Sequence, residues 1–265
     1  GYNDGTKMQN IYHAYSPDGG ATWKRLSDGA TISLPLNTTN ADLVYQTTTS
    51  GTRITDFVLD ESGHPVILFD DDINTDSGVL KRAKWNGSEW EFSTIGNLLR
   101  FRENPSASYQ SSGALDPKNP DRVIIAEKVN DVSEIREYEF DGATWNLVKE
   151  YTSNSTYTNV RPRFVHNYVN ELRFINFQIV EYNDYDDWLG YLRCHSTHFS
   201  SCPSILILTG TSGTRGIIES VKSFGYPVIL ESLVRFYTTD QDSQHPCAMP
   251  VSYTHLRAHE TEADL

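Results

Sequence analysis

The sequence predicts an all-β protein, and three observations support that prediction. Runs of alternating β-branched and aromatic residues follow one another, separated by Asn-Gly, Asp-Gly and Gly-Gly turns. A unit that begins Ser-Gly-Thr-Arg and ends Pro-Val-Ile-Leu at residues 50–68 recurs at residues 212–230. Helical periodicity with capping residues is hard to find anywhere in the chain. An internal repeat in such a sequence favours an array of similar β-sheet units.

The apolar strand that ends each copy of this unit has two further counterparts between them. The four buried strands start about fifty residues apart, and a polar segment and a second strand follow each one. The buried strands are residues 65–68, 122–125, 173–176 and 227–230, and the second strands are residues 80–85, 135–140, 189–194 and 234–237. About fifty residues with four short strands is the pattern of a β-propeller blade.

Three tight turns complete this pattern. Residues 15–23, 85–90 and 140–145 each run from an aromatic residue through Asn-Gly, Asp-Gly or Gly-Gly to a closing Trp. Gly, Asn and Asp supply the positive φ angles that hairpin turns need, and the Trp can pack back on the hairpin. The chain starts in the middle of a blade. We therefore expect an incomplete propeller of about four to five blades over residues 1–250.

The first turn also carries a family resemblance. Ser16-Pro-Asp18-Gly-Gly20-Ala-Thr22-Trp23 matches S-x-D-x-G-x-T-W, the Asp-box of the bacterial neuraminidase (BNR) repeat. This motif indicates a propeller hairpin and not an activity, because its Ser and Asp side chains hydrogen-bond to the backbone of the turn. The fold class that the resemblance implies is a BNR-type, sialidase-like β-propeller.

Three further motifs narrow the resemblance. They are Tyr12-His-Ala-Tyr15, Tyr109-x-Ser-Ser-Gly113-x-x-Asp116-Pro117 and Asn159-Val-Arg161-Pro162, and they resemble the BNR-repeat proteins that include the ulvan lyases. Such proteins have seven blades, and the characterised ones cleave acidic, uronate-containing polysaccharide by β-elimination. The resemblance implies this activity here. A sialidase-like hydrolase, with a Tyr/Glu pair opposite an arginine ring, and a non-catalytic glycan-binding propeller are the alternatives.

Arginine recurs at one place in the repeat. Arg53, Gln110, Arg161 and Arg215 stand at the same distance before the four buried strands. The first strand of each blade lines the axis of a propeller, so these side chains could form one ring that binds carboxylates through bidentate, charge-assisted hydrogen bonds. We predict substrate-binding roles for Arg53, Gln110 and Arg215. In the structural alternative, each Arg anchors a turn or pairs with a neighbour such as Asp56.

A uronate lyase must neutralise the substrate carboxylate, remove the proton from the adjacent carbon and protonate the leaving oxygen. Arg161 suits the first role. Tyr109 and His13 suit the proton transfers, because a neutral His works near pH 7 and a Tyr beside an Arg can have a lowered pKa. These three residues are the predicted catalytic set, and they require no cofactor.

Two other groups of polar residues are candidate metal sites. Cys194, His198 and Cys202 lie close enough in sequence for a structural Zn²⁺ site. A hairpin disulfide or free thiols are the alternatives for the cysteines. The acidic run from Asp70 to Asp72 fits no complete EF-hand loop, and we expect it to be a solvated loop.

Composition bounds the partners. The net charge of −13 argues against a nucleic-acid backbone as the general partner, and the sequence has no apolar run long enough for a membrane-spanning helix. We expect a monomer that acts on acidic polysaccharide and is secreted or periplasmic, although the first residues do not resemble a signal peptide. Residues 251–265 break the strand pattern and resemble a translated sequencing adapter, so we expect them to be a non-native tail.

Overall fold

The structure is a computed structural model that describes residues 10–48, 51–73, 78–99, 112–165, 172–184, 187–196 and 207–210. These residues form strands and turns and no helix, which confirms the predicted all-β class. No helix among them is therefore available to span a membrane.

The described strands form three four-stranded antiparallel sheets and two small two-stranded ones. Each large sheet has its strands in chain order, as in a propeller blade. Blade I is β5 (Thr52–Leu59), β6 (Pro65–Asp71), β7 (Val79–Trp85) and β8 (Trp90–Asn97). Blade II is β9 (Gly113–Asp116), β10 (Asn119–Val129), β11 (Val132–Phe140) and β12 (Trp145–Glu150). Blade III is β13 (Thr158–Phe164), β14 (Leu172–Asp184), β15 (Asp187–Ser196) and β16 (Ile207–Gly210).

The small sheets precede blade I. β1 (Ile11–His13) pairs with β4 (Asp42–Tyr45), and β2 (Trp23–Lys24) pairs with β3 (Thr31–Ile32). β1 ends at His13, and Tyr15 forms an isolated bridge with Lys24. That bridge closes the first Trp-containing turn.

The core lies between the blades, because each buried strand has apolar side chains on both faces. Val66 and Leu68 of β6 pack against Val123 and Ile125 of blade II. The intervening Ile67, with Phe69, packs on the other side against Ile11 and Val44 of the small sheet. A further cluster joins blades II and III through Ile124, Ala126, Ile135 and Phe174. Strands buried on both faces read as continuous apolar runs, which is why the Pro-Val-Ile-Leu segments stand out in the sequence.

The predicted hairpin turns are present in blades I and II, where Trp85 pairs with Trp90 and Phe140 pairs with Trp145. In the first Trp-containing turn, the Asp18 carboxylate accepts hydrogen bonds from the Thr22 backbone N–H (2.8 Å) and from its hydroxyl (2.7 Å). These bonds lower the pKa of Asp18. The side chains of these turns thus serve the fold.

Arg82 and Arg173 join neighbouring blades. Arg82 of β7 lies over the Phe140 and Trp145 rings of blade II and forms an ion pair with Asp121. Arg173 of β14 reaches from blade III into blade II, where it binds Glu137 (2.6 Å) and Asp116 (2.9 Å). These contacts fix the relative orientation of the blades, and therefore of their first strands.

The structure corrects the expectation of a solvated loop at the acidic run. Asp70 and Asp71 belong to β6 and are 0% and 2% exposed. They are tolerated inside because each has a cationic partner on an adjacent strand of blade I, namely Arg53 for Asp70 and Lys81 for Asp71. Asp72, with a left-handed φ of 61°, follows the strand.

Candidate functional site

The first strands β5, β9 and β13 run in the same direction, and the candidate site lies at the end where they start. Cross-blade contacts establish this arrangement. Arg53 of β5 bonds to Ser112, just before β9, and Asp56 accepts the backbone N–H of Leu115 further along β9 at 2.9 Å. In the next blade, Arg163 of β13 donates to the backbone carbonyl of Gly113 at 2.8 Å. We call this end of the blades the strand-start end.

Arg53 is held by partners inside the protein. Its Nη2 donates to Asp70 Oδ2 at 2.5 Å and to Ser112 Oγ at 3.2 Å, and Ser112 Oγ in turn donates to the same carboxylate oxygen at 3.1 Å. The Arg53 side chain is 23% exposed and Asp70 is fully buried. Burial raises the pKa of Asp70 although Arg53 and Ser112 oppose that effect. Arg53 therefore compensates a buried carboxylate and links blade I to blade II.

Arg163 and Asp56 extend this network along the first strands. Burial lowers the pKa of Arg163 and raises the pKa of Asp56, while their opposite charges act against both shifts. Two cations and two carboxylates thus lie around the start of β9: Arg53 and Asp56 come from β5, Asp70 from β6 and Arg163 from β13. Arg53 is thus paired as in the structural alternative, but its partner is Asp70, while Asp56 lies near Arg163.

Arg161 has a different setting. It lies in a bulge of β13, where Val160 pairs with Phe177 and Arg163 pairs with Ile175, so Arg161 and Pro162 together face the single residue Asn176. Its φ is 50°, in the left-handed region, and its side chain is exposed. Such a conformation costs a non-glycine residue roughly 1–3 kcal/mol, and a residue that precedes proline favours extended geometry. An exposed cation held in a strained bulge is a candidate ligand-binding group.

The two arginines do not occupy equivalent positions, contrary to the prediction from their equal spacing. Arg53 precedes the bulge of β5 and pairs regularly with Asp70, whereas Arg161 lies inside the bulge of β13. The hairpin of blade I closes at the Leu59–Pro65 pair, and that of blade III closes at the Phe164–Phe174 pair. The hairpin of blade III is the longer one. Counting the same number of residues back from the buried strand therefore reaches positions with different strand pairing in the two blades.

Blade II holds the bulge on both sides. Before it, Asn159 Nδ2 donates to the Ser133 carbonyl at 3.0 Å and to Ser155 Oγ at 3.1 Å. After it, Arg163 donates to Gly113, as described above. Asn159 is fully buried. The chain on either side of Arg161 is therefore fixed to the neighbouring blade, and the exposed Arg161 lies between these two contacts.

His13 lies elsewhere. Its ring contacts the Trp90 ring at 5.6 Å between centroids, and Trp90 pairs with Trp85 at the opposite end of blade I. Across the sheet of blade I, strand pairing aligns Arg53 with Gly96 of β8. Gly96 lies six residues after Trp90. At about 3.3 Å per residue, that separates the two places by roughly 20 Å along the strand. Burial lowers the pKa of His13, and its Nδ1 is buried without a hydrogen-bond partner. The structure does not bring His13 to the arginines.

Three of the other predicted site residues, Tyr109, Gln110 and Arg215, lie outside the described residues. Tyr109 and Gln110 come shortly before Ser112, which contacts Arg53. Their predicted roles stay predictions.

The predicted metal site is only partly within the described chain. Cys194 is in β15, where it pairs with Ile175, and His198 and Cys202 lie outside the described residues. The described residues contain no group of three His, Cys, Asp or Glu residues that could hold a metal ion. Zinc, disulfide and free thiols therefore remain open for these cysteines.

Among the described residues, Tyr138–Glu127 and Tyr151–Glu137 are close Tyr/Glu pairs of the kind that a sialidase-like site would need, but both belong to contacts within or between blades. The Tyr138 hydroxyl donates to Glu127 at 2.5 Å, and the Tyr151 hydroxyl donates to Glu137 at 2.8 Å. Burial and the neighbouring carboxylates raise the pKa of both tyrosines. A tyrosine nucleophile needs the opposite shift. Glu137 is also bound by Arg173, so this pair is occupied with joining blades II and III.

Sequence reasoning missed Ser112, Arg163, Asn159 and Asn176. Three of these lie inside or beside the quoted motifs, since Ser112 and Asn159 belong to them and Arg163 directly follows Pro162. The same motifs contain residues whose role is structural. A Cβ at Gly113 would lie 2.7 Å from the Ile124 carbonyl oxygen, and Asp116 binds Arg173. The family motifs were therefore the signal that could have pointed to the missed residues. A motif alone does not separate residues that bind a ligand from residues that pack the fold.

Comparison with known proteins agrees with this architecture. Residues 1–98 match the sequence model of the BNR repeat-containing protein family. No curated protein matches the sequence. Two solved structures are similar, each with a TM-score of 0.50 and 14% sequence identity: an ulvan lyase described as a new family of polysaccharide lyase, PL25, and the PL25 ulvan lyase bound to -[GlcA(1-4)Rha3S]-. Each match covers 65% of this chain and 40% of the lyase chain.

The class of protein follows from these findings. The three blades and the match over residues 1–98 confirm the predicted BNR-repeat β-propeller. The match to the BNR-repeat model covers the first 98 residues, and the chain spans less than half the length of the two lyase chains that it resembles in fold.

Proposed function

We propose that this protein is a carbohydrate-active propeller that binds acidic, uronate-containing polysaccharide at the strand-start end and cleaves it by β-elimination. The observation that carries the proposal is Arg161, an exposed guanidinium in a left-handed bulge that two contacts fix to blade II. The likeness to ulvan lyases, one of them bound to -[GlcA(1-4)Rha3S]-, supports the choice of a uronate ligand. On a protein of net charge −13, a fixed exposed cation is a specific place for an anionic sugar.

The proposed chemistry gives Arg161 one defined role. Its guanidinium neutralises the uronate carboxylate, which makes the proton on the adjacent carbon more acidic. A base removes that proton, a double bond forms between this carbon and its neighbour, and the sugar oxygen leaves with a proton from an acid. Tyr109 is the predicted residue for proton transfer, while His13 is too far along the blade to share the site. Arg53 contributes by ordering the first strands and not by binding the carboxylate directly.

The test uses the purified protein and an oligosaccharide of the GlcA(1-4)Rha3S repeat. Lysis by β-elimination gives an unsaturated uronate, which is followed by its ultraviolet absorbance, and affinity is measured by calorimetry. We expect Arg161→Ala to lower kcat/KM about 10- to 100-fold, the effect of losing a charged hydrogen-bonded contact. Tyr109→Phe should abolish the absorbance change and leave binding intact, and His13→Ala should leave both unchanged.

The matched control for charge is Arg25→Ala. The Arg25 side chain is 35% exposed and its partner is Asp28, three residues away in the chain and next to the small sheet β2–β3. Its loss removes one positive charge without touching the strand-start end, so the affinity should stay within twofold. Equal losses from Arg25→Ala and Arg161→Ala would contradict a specific site. Absence of both binding and absorbance change in the unmodified protein would overturn the proposal.

A non-catalytic glycan-binding propeller is the second candidate, and the position of His13 favours it. One of the two predicted proton-transfer groups is roughly 20 Å along the strand from the row of Arg53. On this alternative, the oligosaccharide binds through Arg161 and no unsaturated product forms. The same two measurements therefore separate the lyase from the binding protein.

A further inference from the structure

A buried chain of hydrogen bonds lies behind the Arg161 bulge. Glu134 of β11 accepts hydrogen bonds from the Thr152 hydroxyl (2.5 Å) and from the Ser155 hydroxyl (2.7 Å) and backbone N–H (2.6 Å). Asn159 Nδ2 donates to this group of oxygens, with Ser155 Oγ at 3.1 Å. Glu134 is 1% exposed and Asn159 is 0% exposed. Blade II thus provides a fixed polar anchor for the strand that carries Arg161.

The chain continues within blade III through Asn176. Asn176 Nδ2 donates to Asn159 Oδ1 at 3.2 Å and to the Phe177 carbonyl at 2.9 Å. Its Oδ1 lies 2.7 Å from Nε2 of His195, whose ring stacks on Phe174 at 4.3 Å. Because an amide oxygen only accepts, Nε2 carries the proton in this bond. Asn176 is fully buried and its hydrogen-bonding groups are used on both sides.

Asn176 also has a special place in the sheet. It is the one residue of β14 that faces both Arg161 and Pro162, between the Val160–Phe177 and Arg163–Ile175 pairs. A bulge places two residues against one, and the conformation of the two depends on what the one provides. We infer that Asn176 is a positioning residue, which through Asn159 holds Arg161 in its left-handed conformation and so sets the geometry of uronate binding. This inference rests on the proposed function of Arg161.

The structure offers a matched comparison residue. Gln178 lies two residues along β14 and is also a buried amide, with its Nε2 bonded to the Tyr157 carbonyl and its Oε1 bonded to Arg193. It pairs with Asn159 in regular register, outside the bulge. Substitution of Gln178 should therefore lower the free energy of unfolding, as substitution of Asn176 does. It should not displace Arg161.

The experiment is a double-mutant cycle on affinity for the GlcA(1-4)Rha3S oligosaccharide, measured by calorimetry in Asn176→Ala, Arg161→Ala, the double variant and Gln178→Ala. We expect Asn176→Ala to weaken binding about 10-fold, and to change it less than twofold when Arg161 is already absent. Gln178→Ala should bind within twofold of the unmodified protein. An equal loss from Asn176→Ala in both backgrounds would overturn the inference. If Asn176→Ala does not fold, Asn176→Ser, which is too short to reach Asn159, takes its place.

A crystal structure of the same Asn176 variant tests the inference without any ligand. We expect the Arg161 φ to leave the left-handed region or the bulge to move along β13. An unchanged bulge would overturn the positioning role even if Arg161 binds uronate. Conversely, an altered bulge in a protein that binds no uronate would support the positioning role and contradict the proposed function, so the two failures are distinguishable.

Discussion

β5 and β13 each carry an arginine twelve residues before the buried strand, and the two arginines have opposite surroundings. Arg53 is in regular strand pairing, and it is bonded to the buried Asp70 and to Ser112. Arg161 is exposed in a bulge, with its backbone strained and its flanks fixed to blade II. Equal spacing in the sequence therefore produced one arginine that is paired with a buried carboxylate and one that lies exposed in a bulge. The difference arises from the bulge, which releases a side chain from the regular alternation of the strand.

The largest expected effect that would sharpen this comparison is on stability. Arg53→Ala should lower the free energy of unfolding by about 3 kcal/mol, because it leaves the Asp70 carboxylate buried without its cation. Arg161→Ala should change it by less than about 0.5 kcal/mol, because an exposed side chain is removed. Urea unfolding measures both.

The control for that prediction is the double variant Arg53→Met with Asp70→Leu. It removes the buried charge together with its partner and should recover most of the lost stability. Equal losses from Arg53→Ala and Arg161→Ala would break the proposed division between a structural and a ligand-binding arginine.

An intermediate effect is expected from pH on the Arg161 side. Burial lowers the pKa of His195 to about 4, so the neutral ring is preferred in the folded protein. Its contribution to stability is fully present above the unfolded value of about 6.5 and is lost as pH falls towards 4, by up to about 3 kcal/mol. The free energy of unfolding is measured for the unmodified protein and for His195→Gln. Their difference should shrink as the pH falls through this window, because Gln can keep the hydrogen bond to Asn176 and does not titrate.

On the Arg53 side the slope should have the opposite sign. Because burial raises the pKa of Asp70, its contribution is present below the unfolded value and decreases as pH rises through the folded one. The difference in unfolding free energy between the unmodified protein and Asp70→Asn should therefore fall with rising pH. Slopes of the same sign for His195→Gln and Asp70→Asn would contradict the assigned environments.

The smallest expected effect concerns the backbone alone. Arg161→Gly should be about 1 kcal/mol more stable than Arg161→Ala, because glycine accepts a φ of 50° without steric cost. Arg53→Gly should be less stable than Arg53→Ala by about 0.5–1 kcal/mol, because β5 is regular at that position. Thermal or urea unfolding of the four variants checks the change of sign, and a common sign at both positions would show that the bulge is not the distinguishing feature.

The hairpins show how far sequence reasoning reached. Trp85 and Trp90 close a turn because Asn-Gly between them provides the required φ angles, and the structure pairs them as predicted. The buried strands at residues 65–68, 122–125 and 173–176 were also predicted from the repeat, whereas the fourth, at residues 227–230, lies outside the described residues. The prediction of a solvated loop at the acidic run was wrong. Asp70 and Asp71 extend β6 and pair with cations on neighbouring strands, which no local sequence pattern shows.

The candidate site was predicted only in part. Arg161 was selected by its motif, but the bulge that exposes it, and the network through Asn159 and Asn176, depend on partners in another strand and another blade. His13 was selected by its chemistry, and its position against Trp90 is a result of how β1 packs on blade I. Residue type indicates what a side chain can do, whereas packing decides which side chains meet.

The sequence by itself determined the all-β class, the blade repeat and the hairpin turns, because strand alternation and turn chemistry act between residues close in the chain. The tertiary structure alone decided that Arg53 forms an ion pair with Asp70 and that Arg161 is exposed in a bulge. Those outcomes depend on strand register, on hairpin length and on contacts between blades. Such contacts join residues distant in the chain, so equal spacing along the sequence could not predict equal environments.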